Sequence, residues 1–145
     1  MTDYRAKLKE LLQNITYTNK YNSQENVNIY YEEDVTEGKA RFKTPALIIR
    51  GLRQLIDPAD IGWNIYTELY DIDVSLYLKL RSDNYTAGTV REEITNQIIE
   101  LAKQSKEGFI QDDLYLKLTE IRDRNYLEEV GILRRDFSFE IYKEG

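Results

Sequence analysis

The clearest pattern in the chain is a strict alternation of polar and aliphatic residues between positions 71 and 81. Because successive side chains of a β-strand point to opposite sides of a sheet, the aliphatic residues share one face and the polar residues the other. This pattern predicts a long strand of the antiparallel type, beginning near residue 63 or 65, with one buried and one solvated face. The aliphatic positions are Ile72, Val74, Leu76, Leu78 and Leu80, and the polar positions are Asp71, Asp73, Ser75, Tyr77, Lys79 and Arg81.

Apolar residues at helical spacing predict a first helix over about residues 3–15, which Thr2 or Asp3 can cap. Its expected buried positions are Tyr4, Leu8, Leu11, Leu12 and Ile15.

A second helix is predicted from Thr89, which has the spacing of a capping box with Glu92, to about residue 104. The stretch that follows, with Gly108 at its end, is typical of a helix terminus. The expected buried positions are Val90, Ile94, Ile98, Leu101 and Ala102.

The segment between the first helix and the long strand is less regular. Residues 14–26 are rich in Asn, Thr, Ser and Tyr, which predicts a loop that wraps the surface or rests on a neighbour. Residues 27–31 and 40–43 predict a hairpin with the acidic stretch 32–38 at its tip. Residues 45–51 follow as an apolar strand, and residues 57–62 as a turn.

Two more alternating strands close the chain, over residues 114–118 and 133–141, joined by a charged loop at 122–129. Arg135 falls on the apolar phase of the last strand, so either the strand bulges there or the arginine reaches an edge or a partner. The order of elements predicts a single α+β domain over residues 1–145. We expect a mainly antiparallel sheet of about four to six strands with two helices packed on one face.

The amino-acid composition limits the kinds of site that the chain can form. The chain has no cysteine and no histidine, which excludes thiolate chemistry, disulfides and every catalytic arrangement that needs an imidazole. The net charge of -6 disfavours a protein whose main work is to bind nucleic acid. No apolar run is long enough to cross a membrane, and the N-terminus lacks the apolar core of a secretory signal, so we expect synthesis and use in a cytoplasm.

Candidate sites are sparse. Asp71 and Asp73 share one strand face and can ligate a hard cation, although an exposed acidic face gives the same pattern. The acidic stretch that begins at Glu32 lacks the glycine-punctuated spacing of a calcium loop. No glycine-rich phosphate loop is present, so no catalytic residue and no cofactor are predicted. The twelve tyrosines, and Trp63, suit either the edge of the core or surfaces that become buried on assembly.

The whole-chain order resembles the tail terminator proteins of tailed viruses, which are also called tail completion or head–tail joining proteins. The resemblance lies in the first helix, the Pro-Ala-Leu-Ile-Ile strand from Pro45 and the long strand from Trp63 to Arg81. It continues through the helix from Thr89 and the closing strands with Arg134-Arg135-Asp-Phe-Ser-Phe. Residues 14–43 do not match that pattern.

The resemblance implies a non-enzymatic virion protein, assembled in the host cytoplasm. Its subunits form a homo-oligomeric ring, usually of six, on the last ring of the tail tube protein. The ring stops further polymerisation and presents a surface to the head-completion or connector protein. DNA is then only cargo passing through the channel, and neither a membrane nor a cofactor is involved. The predicted subunit contacts are Tyr17, Tyr21, Tyr30, Tyr31, Asp71, Asp73, Tyr77, Arg134 and Arg135.

Three alternatives remain open from the sequence. The first is another virion part, such as a head–tail adaptor or a tail tube subunit. The second is an α+β domain that binds a metal or another ligand, or acts as an enzyme, through Asp71 and Asp73. The third is an adaptor that binds a peptide along an open sheet edge.

Overall fold

The computed structural model describes residues 3–36, 43–54, 66–104, 114–124 and 130–144. Its helices are α1 (Tyr4–Leu12), α2 (Glu32–Thr36) and α3 (Ala87–Gln104). Its strands are β1 (Thr16–Thr18), β2 (Gln24–Asn26), β3 (Asn28–Tyr31), β4 (Ala46–Ile49), β5 (Arg53–Gln54), β6 (Tyr66–Lys79), β7 (Leu114–Asp123) and β8 (Ile132–Glu144).

One six-stranded sheet organises these elements. Its strand order is β3-β4-β6-β8-β7, with β5 beside β6, and every pair except the parallel β3–β4 is antiparallel. Strands β6 and β8 pair along nearly their whole lengths and form the centre of the sheet. Strands β1 and β2 form a separate hairpin. The predicted α+β class with a mainly antiparallel sheet is confirmed.

The core lies on one side of the sheet, as the alternation predicts. Helices α1 and α3 both pack there, so the prediction of two helices on one face is confirmed. Each fully buried aliphatic or aromatic side chain contributes about 1.5–3 kcal/mol by leaving water. The side chains with at most 1% exposure include Leu8, Leu12, Ile72, Val74, Leu76, Leu78, Ile94, Ile98, Phe137 and Phe139. Leu80, which lies beyond the end of β6, is 40% exposed.

The helix ends differ in detail from the predictions. Asp3 caps α1 as expected, because its carboxylate accepts a hydrogen bond of 3.0 Å from the amide of Ala6. The capping box is wrong: α3 begins at Ala87, so Thr89 lies inside the first turn. Glu92 instead pairs with arginine side chains. The predicted terminus at residues 105–108 lies outside the described residues.

The segment predicted as a loop, residues 14–26, contains the β1–β2 hairpin. Side chains of α3 hold this hairpin down. The amide of Gln97 bonds the backbone of Thr16 in both directions, and the Glu93 carboxylate accepts hydrogen bonds from the amide and hydroxyl of Thr18. A strand of three residues is too short to show a hydrophobic period, and contacts with α3 leave no local pattern in the sequence. The sequence of this segment therefore did not predict the hairpin.

The predicted hairpin of residues 27–31 with 40–43 falls largely outside the described residues, because the structure does not describe residues 40–42. Strand β3 pairs in parallel with β4, so its partner comes from the next strand along the chain. The predicted hairpin tip begins instead with α2, and residues 37–42 lie outside the described residues. Of the charged connection predicted at residues 122–129, Arg122 and Asp123 belong to β7, and residues 125–129 lie outside the described residues.

Other predictions fall on parts of the chain that the structure does not describe, namely the turn at 57–62, Trp63 and the start of the long strand before Tyr66. None of the described helices combines the length and apolar character needed to span a membrane.

Candidate interface on the open sheet face

The side of the sheet opposite α1 and α3 carries the polar residues of the central strands, and we call it the open face. Residues directly opposite on paired strands share a face, so the polar set of β6 has matching neighbours on β8. The cross-strand pairs of the open face are Asp71 with Glu140, Asp73 with Ser138, Ser75 with Asp136, Tyr77 with Arg134, and Lys79 with Ile132.

A buried carboxylate lies at the centre of this face. Asp136 is only 5% exposed, and Ser75 is fully buried beside it. The Ser75 hydroxyl donates a hydrogen bond of 2.7 Å to Asp136 Oδ1, and Arg134 donates from Nε to the same oxygen at 2.8 Å. Arg134 Nη2 and Arg124 Nε donate to Oδ2 at 3.2 and 2.9 Å. Four donors therefore fix one carboxylate.

The charge of Asp136 is maintained by these donors. Burial, the largest single influence, raises the pKa of Asp136, but the hydrogen bonds from Arg134, Ser75 and Arg124 together outweigh it and leave the pKa below its ordinary value. A carboxylate that holds its proton so weakly is a poor general base at neutral pH. The arrangement is suited to fixing arginine side chains in place.

The network extends to the edge of the face through Arg50, which follows β4. Its guanidinium donates from Nε to the Ser75 hydroxyl at 2.8 Å, from Nη1 to Glu32 at 2.9 Å and from Nη2 to the Tyr77 hydroxyl at 2.9 Å. The guanidinium carbon of Arg134 lies 5.4 Å from the centre of the Tyr77 ring. Tyr77 is therefore held between two arginines.

A shallow depression lies where α2 meets this network. It has a volume of about 200 Å³ and is lined by Glu32, Val35, Ile48, Arg50 and Tyr77. Pockets that enclose a drug-sized ligand are larger, about 300–1,000 Å³. The depression is a small feature of a broad polar surface.

Asp71 of the open face forms an ion pair with Arg53 of β5. The contact of Asp73 with Arg50 is between their backbones, because the Asp73 carbonyl accepts a hydrogen bond of 2.9 Å from the Arg50 amide. Among the residues that the structure describes, no three acidic side chains gather as a metal site would require. The cationic partner that the structure shows for Asp71 is thus the guanidinium of Arg53.

Five of the predicted contact residues come together on the open face. They are Tyr30, Asp71, Asp73, Tyr77 and Arg134, which the register places on the same side of the sheet. Tyr30 is half-buried, and its hydroxyl accepts a hydrogen bond of 3.2 Å from the amide of Lys43.

The other four lie elsewhere. Tyr17 is 4% exposed and belongs to the core, so it is not available to a partner and its prediction as a contact is wrong. Tyr21, at the tip of the β1–β2 hairpin, is 76% exposed. Tyr31 lies under Arg5 and Lys9 of α1, at 4.7 and 4.9 Å from its ring centre.

Arg135 points to the helix side of the sheet. It donates two hydrogen bonds to Asp123, at 2.7 and 3.1 Å, and reaches Glu92 and Thr95 of α3. Strand β8 pairs with β6 without a bulge at Arg135, so a bulge does not explain why this arginine falls on the apolar phase. Arg135 lies there because its guanidinium has polar partners within its own subunit.

Sequence reasoning missed the centre of the network: Ser75, Asp136, Arg50 and Arg124. In the sequence, Ser75 and Asp136 are distinguished only as polar residues of two alternating strands. Their pairing depends on the register between β6 and β8, which are about sixty residues apart in the chain. Neither a protein-family model nor a curated protein sequence matches this chain.

Proposed function

We propose that this chain is a non-enzymatic structural subunit of a tailed virus, a tail terminator that assembles as a ring, usually of six copies. The ring caps the tail tube and joins it to the head. The observation that carries this proposal is the open face, a surface of tyrosine and arginine side chains fixed by the Asp136 network.

Two physical arguments support an assembly role. Tyrosine and arginine are the side chains enriched where proteins contact one another. A surface whose side chains are already fixed loses less conformational entropy when a partner covers it, which favours association. The engaged serine and the weakly basic carboxylate offer no comparable argument for catalysis.

The native mass tests the proposal. Light scattering of the purified chain, over a range of concentrations and with the tail tube protein of the same virus, should show a closed particle near six times 17.2 kDa, alone or on the tube end. Electron micrographs should show single rings. Indefinite tubes would indicate a tube subunit instead, and a chain that stays monomeric with and without tubes would contradict the proposal.

Calorimetry gives an independent check. Titration with calcium, magnesium or manganese should show no micromolar binding. Binding of that strength, lost in Asp73→Asn, would replace the structural role with a metal-dependent one.

A further inference from the structure

Three exposed apolar side chains lie at one end of the sheet, where β6 leads into the loop before α3. They belong to Tyr21, Leu80 and Val130, which are 76%, 40% and 69% exposed. The amide of Leu80 donates a hydrogen bond of 2.9 Å to the carbonyl of Gly131, which places Val130 beside the end of β6. We use the name end patch for Tyr21, Lys79, Leu80, Arg81 and Val130.

The hairpin tip that carries Tyr21 is fixed against this end of the sheet. The neighbouring Lys20 donates from its amide to the carbonyl of Asn84 at 2.8 Å and from Nζ to the carbonyl of Ser82 at 2.7 Å. The amide of Tyr21 itself donates to the side-chain oxygen of Asn19 at 2.9 Å. The Tyr21 ring is therefore exposed on a backbone that is already ordered, so that covering it costs little further backbone entropy.

The two cations of the end patch have no acidic partner in the part of the chain that the structure describes. Lys79 and Arg81 are both exposed, and neither forms an ion pair with a described residue. Of the acids in the adjoining segments, Asp83 is exposed, and Glu25 accepts a hydrogen bond of 2.9 Å from Asn84 of its own subunit. Apolar side chains with unpaired cations beside them are complementary to a protein surface that has an apolar centre and an acidic rim.

We propose that the end patch binds the end of the tail tube, at a tube surface with an apolar centre and carboxylates around it. This inference rests on the proposed function, in which a ring of subunits caps the tube. The contact with the tube needs a surface other than the patches that close the ring. The end patch meets that need, because it lies at the ends of the central strands whereas the open face lies on their side.

The side chains of the end patch favour a protein partner over DNA. Tyrosine is one of the residues that carry most of the binding energy in protein interfaces, so Tyr21 is the expected anchor of the contact. Leu80 and Val130 add aliphatic surface, which stabilises a contact with protein by leaving water. DNA is bound chiefly through its phosphates, for which aliphatic side chains offer no partner.

Purified tail tubes of the same virus are the probe that tests the end patch. Tyr21→Ala and Arg81→Glu, each alone, should weaken cosedimentation with tubes by at least about tenfold, because they remove the anchor and reverse a complementary charge. Binding of the unmodified chain should be weaker in 1 M than in about 0.05 M salt, because screening shortens from more than ~10 Å to ~3 Å over this range. The particle mass from light scattering should stay that of the ring in both variants.

The chain offers a matched control for each kind of change. Leu80→Ala should weaken tube binding, whereas Ile121→Ala should not, although Ile121 of β7 is 39% exposed and so closely matches Leu80 at 40%. Lys103→Glu, at an exposed position of α3, is the control for the charge reversal at Arg81. Circular dichroism establishes that each variant is folded.

The outcomes separate this inference from the proposed ring. Weakened tube binding in the patch variants, with the ring mass unchanged, supports the end patch. Tube binding that ignores the patch variants overturns it, and the proposed function then stands if the particle still caps tubes. Loss of the ring mass in Tyr21→Ala or Arg81→Glu would assign the patch to contacts between copies and overturn the inference. Fluorescence anisotropy with a short DNA duplex gives one more check, because DNA binding that Arg81→Glu abolishes would make the patch a DNA contact instead.

Discussion

The hydroxyl of Ser75 donates a hydrogen bond of 2.7 Å to the carboxylate of Asp136, and both side chains are buried although they lie on the sheet face opposite the two long helices. Their neighbours provide the burial, since Arg50, Arg124 and Arg134 all bond to one or other of them. The pair therefore holds three arginine side chains on this face of the sheet.

Asp136→Asn should lower the free energy of unfolding by about 3 kcal/mol, because it leaves arginines arranged around a neutral group. Urea denaturation at pH 7 measures the loss. Glu120→Gln is the control, because its ion pair with Arg122 at 3.4 Å is about half exposed and should contribute less than about 1 kcal/mol. Equal losses in the two variants would mean that the network adds nothing beyond surface charge.

We also expect Asp136→Asn to change how the free energy of unfolding depends on pH in acid. Because folding lowers the pKa of Asp136, its contribution is complete above the ordinary value near 3.8 and is lost as the pH falls through the lower folded value. Below pH 4 the unmodified chain should therefore lose stability more steeply than Asp136→Asn. Parallel curves over that range would contradict the assigned direction.

Ser75→Ala should cost about 1–3 kcal/mol, since it removes one hydrogen-bond partner each from Asp136 and Arg50. Combined with Asp136→Asn, the double variant should lose less than the sum of the two single changes, by about 0.5 kcal/mol or more. Strict additivity would show that the two side chains act independently.

Arg135→Ala should lower the free energy of unfolding by about 2 kcal/mol, because this side chain, 12% exposed, links β8 to Asp123 and to α3. Hydrogen bonding from Arg135 also lowers the pKa of Asp123, so the change should reduce stability at neutral pH more than near pH 2. Arg122→Ala, on the exposed side of β7, is the matched control and should change stability little.

The raised pKa of Tyr17 predicts that the folded chain loses stability in alkali. Burial and its hydrogen bond to Glu25 raise the pKa of Tyr17 to about 12. Its contribution is complete below the ordinary value of 10 and is lost as the pH rises towards 12. Thermal unfolding between pH 9 and 12 should therefore show a steeper decline in the unmodified chain than in Tyr17→Phe. Tyr21→Phe, at an exposed position, should follow the unmodified chain.

Where the signal was periodic, the sequence predicted the fold well. The alternation around Val74 identified β6 and its buried face, and the spacing around Leu8 and Ile94 identified both long helices and the sides they bury. It failed at β1, β2 and α2, whose elements are only three to five residues long. Elements this short depend on contacts from elsewhere in the chain, such as those that Glu93 and Gln97 make with the hairpin.

The candidate site likewise has features that local periodicity predicts and features that depend on contacts between distant segments. The sequence by itself determined which residues of β6 are polar and placed Asp71, Asp73 and Tyr77 on one face, because a strand has a fixed period of two. Only the tertiary structure decided that Ser75 meets Asp136 and that Arg135 turns towards α3. Those relationships depend on strand register and helix packing, which arise from pairing between distant segments and leave no local pattern in the chain.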